Sequence, residues 1–205
     1  MKRPEFRQLP KAWDRPPHSG IPNRNGDRNS APIYTALGRA VSAWEGVQAA
    51  IAGVFAKLIA GDADLENRLI AFGDNSKVHD RAKQIKDEAV KFFARSFANG
   101  PQNPRELRAE LKSVLAAYRG WAERRNDLAH GYVTPMRAPD YNDDDQPMRK
   151  FHSLLPSHSR ITLWIHEQPI FNYVAAELRV FAKEFVALDK RMEALAARIG
   201  ELADQ

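Results

Sequence analysis

The stretch VAAELRVFAKEFVALDKRMEALAARIGEL, residues 174–202, decides the fold class. Val174, Leu178, Phe181, Phe185, Leu188, Met192, Leu195, Ile199 and Leu202 recur at steps of four and three. That spacing lines one face of an α-helix with apolar side chains, whereas a strand of period two would scatter them over both faces. The stretch reads as a long helix that either closes a bundle or pairs subunits.

The same periodicity recurs towards the N-terminus. Leu107, Leu111, Val114, Tyr118, Trp121, Arg125 and Leu128 follow Asn103-Pro104, a cap with a first-turn proline. Val78, Ile85, Phe92, Phe93 and Phe97 follow the cap candidates Asp74-Asn75-Ser76 and end at Asn99-Gly100, with a short helix from Ala63 to Phe72 ahead of them. Leu37, Val41, Trp44, Ile51, Phe55 and Leu58 run from Pro32 to Gly61, interrupted by Gln48. The texture changes after Gly131, where Pro135, Pro139, Asp143-Asp144-Asp145 and Pro147 precede two β-like runs, Lys150 to Leu155 and Arg160 to Ile165. The expected fold is all-α: an antiparallel bundle of four long helices in one domain, residues 33–205, with 132–170 a loop and hairpin inserted before the last helix. Residues 1–32, with six prolines and few apolar residues, read as an extended basic arm. Its Arg3, Arg7, Lys11, Arg15, Arg24 and Arg28 are expected to be solvated.

A chain of 205 residues suits a single core, and the absence of cysteine excludes disulfides and thiolate metal sites. The longest apolar stretch, Ala49 to Ala60, falls short of the roughly 20 residues of a membrane span, and no apolar segment follows Lys2 and Arg3 as in an export signal. No membrane association and a cytoplasmic location are expected. A formal charge of +5 permits contact with phosphates without demanding it. His152, His158 and His166 lack the cysteine or carboxylate partners of a zinc pattern, and Asp143-Asp144-Asp145 lacks the glycine and distal glutamate of a calcium loop. Neither a Gly-rich phosphate loop nor a nucleophile elbow is present in the sequence. No metal and no cofactor are expected.

Chemistry concentrates in Arg125-Asn126-Asp127-Leu128-Ala129-His130-Gly131. An arginine in a bundle seam needs a carboxylate, a phosphate or water for its charge. Gly131 reads as the residue that ends the helix, which puts His130 on the last turn. Asn126 and Asp127 precede His130 by four and three residues, close enough to hold one ring nitrogen. Glu45, beside Trp44 on the first helix, is a supporting candidate to orient Arg125 or His130. Arg125 and His130 stand about 140° apart on an ideal helix, so they converge only if the helix ends there or a second subunit contributes. A cation that grips phosphate beside a histidine that moves protons is the minimum equipment for metal-free RNA cleavage, with the ribose 2′-hydroxyl as nucleophile.

The segment Arg125-Asn126-Asp127-Leu128-Ala129-His130 resembles the Arg-x-x-x-x-His motif of the HEPN superfamily of helical bundles, which frequently carry Asn after the Arg. The position of the motif at the end of the third long helix and the long final helix are similar as well. The resemblance implies a homodimer with two motifs facing across a cleft and, in active members, metal-independent endoribonuclease activity linked to toxin or antiphage roles, with an antitoxin or accessory protein as partner. It implies that Arg125 stabilises the scissile phosphate, that His130 is the general base or acid, and that Asn126 orients the pair. The alternative from a different class is a non-catalytic bundle that binds a protein or RNA, with Arg125 a structural bridge.

Overall fold

The computed structural model describes residues 11–15, 26–96, 104–138, 149–157 and 170–203. Five helices and one antiparallel pair of strands follow in the order α1 (Ala31–Leu58), α2 (Leu65–Asp74), α3 (Val78–Ser96), α4 (Pro104–His130), β1 (Gly131–Ala138), β2 (Arg149–Pro156) and α5 (Ala175–Ala203). Most of the described chain is helical. No helix among the described residues is long and apolar enough to cross a membrane.

The largest helix contact is α1 on α5. Leu178, Phe181, Phe185, Leu188, Met192, Leu195, Ile199 and Leu202 are all buried. The apolar repeat of α5 is thus consumed within the chain. On α1 the buried face is Ile33, Ala36, Ala40, Trp44, Val47, Ile51, Val54, Phe55 and Leu58, while Leu37 and Val41 fall to its edge. Alanines carry the first turns of that face, and their small side chains let the two backbones approach closely. Trp44 stacks on Tyr118 of α4 at 5.7 Å and meets Phe185 of α5 edge-on at 5.1 Å, which ties three helices at one point. Gln48, the polar interruption of the α1 stripe, accepts hydrogen bonds from Tyr118 Oη at 3.2 Å and from Arg81, so its burial is compensated.

The bundle is not antiparallel throughout. Gly46 lies against Asp189 and Lys57 against Gly200, both numbers rising together, so α1 and α5 run parallel. Arg81 reaches Gln48, and Arg68 joins Phe55 to Glu88, which sets α3 parallel to α1 as well. Helix α4 opposes them: Ser113 meets Arg191 and Trp121 meets Phe181. The physical reason is α2. Gly61, at φ +85, turns the chain out of α1, and the ten residues of α2 carry it back before α3 begins. That extra return reverses every later direction relative to a simple up-and-down series.

The hairpin also differs from the sequence-based expectation. Strand β2 pairs with β1, in register from Gly131↔Pro156 to Ala138↔Arg149, and the run from Arg160 to Ile165 lies outside the described residues. Pro135 marks β1 as loop by sequence, yet it is opposite His152 on an outer strand, where a missing N–H costs no second ladder. The other edge of β2 is occupied by single bridges, His152 N–H donating to the Asp27 carbonyl at 2.8 Å and Leu154 exchanging bonds with Tyr173 at 2.8 and 2.9 Å. Asp27 then accepts from Ala175 N–H at 2.8 Å through its carboxylate, opposite the helix N-terminus where negative charge is favourable, and Glu177 accepts from Val174 N–H at 3.0 Å. Part of the arm is therefore structural, holding β2 and the start of α5 at the pole where α4 ends.

Candidate functional site

The C-terminal turns of α4 carry two different faces. One, formed by Gly120, Arg124 and Asp127 at steps of four and three, is covered by the arm. A β-carbon on Gly120 would overlap the indole of Trp13, so glycine is what lets the arm lie flat on the helix. A tight turn delivers the next side chain: Asp14 N–H donates to the Lys11 carbonyl at 3.0 Å, and the Asp14 carboxylate accepts from Lys11 N–H at 2.7 Å. Arg15 then grips Asp127 with two bonds, Nη2 to Oδ1 at 2.8 Å and Nε to Oδ2 at 3.1 Å, while its guanidinium lies 5.8 Å from the Phe171 ring centre.

Asp127 is the hub of this cluster. Tyr173 Oη donates to its Oδ2 at 2.8 Å, and Arg124 Nη1 is 3.2 Å from the same oxygen. Arg124 also reaches Glu123 at 3.2 Å and Tyr173 Oη at 3.4 Å. Arg124 is 2% exposed and Asp127 7%. Two guanidinium groups and a phenol satisfy the Asp127 carboxylate, while the buried Arg124 Nε has no hydrogen-bond partner among the described residues. The hydrogen bond to Asp127 holds the Arg15 proton more tightly than usual. Burial, reinforced by the adjacent carboxylate, pushes the Tyr173 phenol far above its ordinary range, so it remains a donor at neutral pH.

The sign of that shift fixes a pH dependence. An unfolded tyrosine loses its proton near pH 10, whereas the folded Tyr173 keeps it, so this contribution to stability is complete below about pH 10 and is lost as pH rises further. Urea melts at pH 8 and pH 11 are expected to show a smaller alkaline loss in Tyr173→Phe than in the wild type, with Tyr118, also raised by burial, supplying the remainder. Equal losses in both proteins would contradict the assignment.

The motif residues lie off this covered face but not together: α4 stays helical through His130, so Asn126 and His130 share one side while Arg125 stands about 140° round the helix from His130. Asn126 and His130 are exposed, and His130 is the last residue of α4. Arg125 continues the apolar stripe by spacing but is only half-buried, and its Nη1 donates to Asn126 Oδ1 over a long 3.5 Å. The buried arginine expected at position 125 is thus Arg124, one residue earlier. Asp127, expected beside His130, turns its carboxylate to the arm instead. Glu45 is exposed on α1, and among the described residues neither it nor His130 has a side-chain hydrogen bond to the other motif residues. Gly131 does not act as a left-handed helix stop. It opens β1 directly, and a β-carbon there would come within 2.9 Å of the Asp127 carbonyl and 2.8 Å of Leu154. The close strand crossing, rather than φ, requires glycine at this position.

Arg15 departs from the expectation in being ion-paired with Asp127 while staying partly exposed; Lys11 and Arg28 are exposed, and Arg3, Arg7 and Arg24 lie outside the described residues. His152 has its backbone in β2, and His158 and His166 lie outside the described residues. No group of three or more metal-ligating side chains occurs among the described residues. Compared with protein-family models, curated proteins and solved structures, the chain matches none.

Proposed function

We propose that the chain is a metal-independent endoribonuclease of the HEPN type, acting through Arg125, Asn126 and His130. The observation that carries the reading is the division of labour at the end of α4. Arg124 takes the buried structural pairing, which leaves Arg125 half-buried and Asn126 and His130 exposed on the last turns of α4. The alternative gave that bridging role to Arg125, and it is filled by the neighbour.

In this reading Arg125 pairs with a non-bridging phosphate oxygen, oriented by Asn126. His130 takes the proton of the ribose 2′-hydroxyl, O2′ attacks phosphorus, and the bond to the 5′ oxygen breaks as that oxygen gains a proton, leaving a 2′,3′-cyclic phosphate. A homodimer that places a second motif opposite the first would supply the histidine for the leaving group, and it belongs to the same proposal together with a cytoplasmic toxin or defence role restrained by a partner. The dimer rests on the motif, because the α5 stripe is spent on α1.

The test is incubation of wild type and His130→Ala with a mixed RNA pool in excess EDTA, followed by analysis of the cut ends. Wild type is expected to leave cyclic phosphate ends, and His130→Ala to be slower by about 100-fold or more. Cleavage unchanged in His130→Ala, or stopped by EDTA, overturns the proposal.

A further inference from the structure

Away from the motif, α3 and α4 enclose an open groove of about 690 Å³. Its rim carries His79, Lys83 and Lys86 from α3 and Arg108, Lys112 and Arg119 from α4, and no carboxylate lines it among the described residues. Acidic and basic residues are mixed over the chain as a whole, 26 against 31, so this segregation is local rather than compositional. The floor is aliphatic. Ala82, Ala89, Leu111 and Leu115 form it, and Val90 stands 62% exposed at its edge.

We infer that this groove seats an acidic amphipathic helix of a partner protein. An apolar face fits the floor, and flanking carboxylates face cations on both rims. Two helices bound the groove, so no free backbone edge is offered for strand addition, and the alanines leave room for a third helix to approach. Single-stranded RNA fits less well. Its bases need exposed aromatic faces to stack on, and the one aromatic lining the groove among the described residues, Phe93, is 1% exposed with the Arg108 guanidinium 5.1 Å from its ring centre. Neither α5 nor the acidic run of the chain has the pattern of such an occupant. Helix α5 mixes both charges, and Asp143-Asp144-Asp145 lies between Pro139 and Pro147 with no helical apolar repeat.

This assignment is independent of the ribonuclease reading, but it has a geometric relation to the motif. Arg108, Lys112, Arg119, Asn126 and His130 share one face of α4 by their spacing, and at 1.5 Å per residue His130 is about 16 Å beyond Arg119. A bound helix that continues past the groove would run over Asn126 and His130.

The probe is a fluorescein-labelled 18-residue peptide with Leu and Ala at helical spacing and Glu elsewhere, measured by anisotropy against the full chain. Its counterpart carries Lys in place of Glu, and a 20-nucleotide single-stranded RNA is run in parallel. The acidic peptide is expected to bind at least 10-fold more tightly than the basic one. The double variant Lys83→Glu/Lys112→Glu, shown to melt as the wild type does, is expected to remove most of that preference. Val90→Asp is expected to weaken the acidic peptide several-fold. Equal binding of both peptides, a preference unchanged in size by the double variant, or RNA binding that depends on the same two lysines overturns the inference.

Discussion

Asp127→Ala is expected to destabilise the protein by about 3 kcal/mol, the lower end of what breaking a buried ion pair costs. The substitution removes the acceptor shared by Arg15, Arg124 and Tyr173. Arg15 is partly exposed and regains water, but Arg124, whose side chain is 3% exposed, keeps only a long 3.4 Å contact to Tyr173 Oη and Glu123, itself 72% exposed. The buried guanidinium therefore accounts for most of the loss, and the low end of the range follows from those remaining contacts. At this chain length the melting midpoint should fall by roughly 6–12 °C. Alanine is a good helix former, so helix propensity does not contribute to the loss. Asp127→Asn, which keeps the shape and one acceptor, should fall between alanine and wild type. A double-mutant cycle with Arg15→Ala separates the arm's share, since the two losses should not add. A midpoint for Asp127→Ala within 1 °C of wild type would remove the cluster from its place as the anchor of this pole.

The second large effect contrasts two adjacent arginines. Arg125→Ala is expected to cut RNA cleavage by about 100-fold or more, the scale of losing one donor to a developing phosphate charge, while changing stability by no more than about 0.5 kcal/mol. Arg124→Ala is expected to do the opposite in kind. It empties a buried position, leaves Asp127 with Arg15 and Tyr173, and lowers the melting midpoint by several degrees. Cleavage per folded molecule in Arg124→Ala should stay within about 10-fold of wild type, because Arg124 does not face the surface that carries Asn126 and His130. Should Arg125→Ala unfold the protein and Arg124→Ala leave it intact, the roles assigned to the two residues would be exchanged.

These two arginines also mark where sequence reading stopped. The helical character of each segment was legible because apolar residues at three and four spacing carry that information locally, as Leu178 to Leu202 do on α5. Between Trp121 and Leu128, steps of four then three pass through Arg125, and steps of three then four pass through Arg124; periodicity alone does not choose. What chooses is the cover on the Gly120, Arg124 and Asp127 face, supplied by Trp13 and Arg15 from 112 residues earlier in the case of the ion pair. The same limit applies to α1. Ala36 and Ala40 carry no strong apolar signal, yet they face the core, while Leu37 and Val41 drew the reading one position aside. Helix direction was illegible for a related reason: it depends on whether a ten-residue segment folds back, which no repeat in the flanking helices records.

The parallel alignment of α1 with α5 has a consequence for how the chain reaches this state. Asp27 and Ala175, which meet at the start of the two helices, are 148 residues apart. Helices α2, α3 and α4 cover only part of α1, so during synthesis the face that α5 will cover emerges open and stays so until the last helix has been made. Closure of so long a loop slows folding far more than it weakens the product. Refolding from denaturant should accordingly be slow for a helical protein of this size, and the late step should be the docking of α5 with the arm, which completes the pole around Asp127.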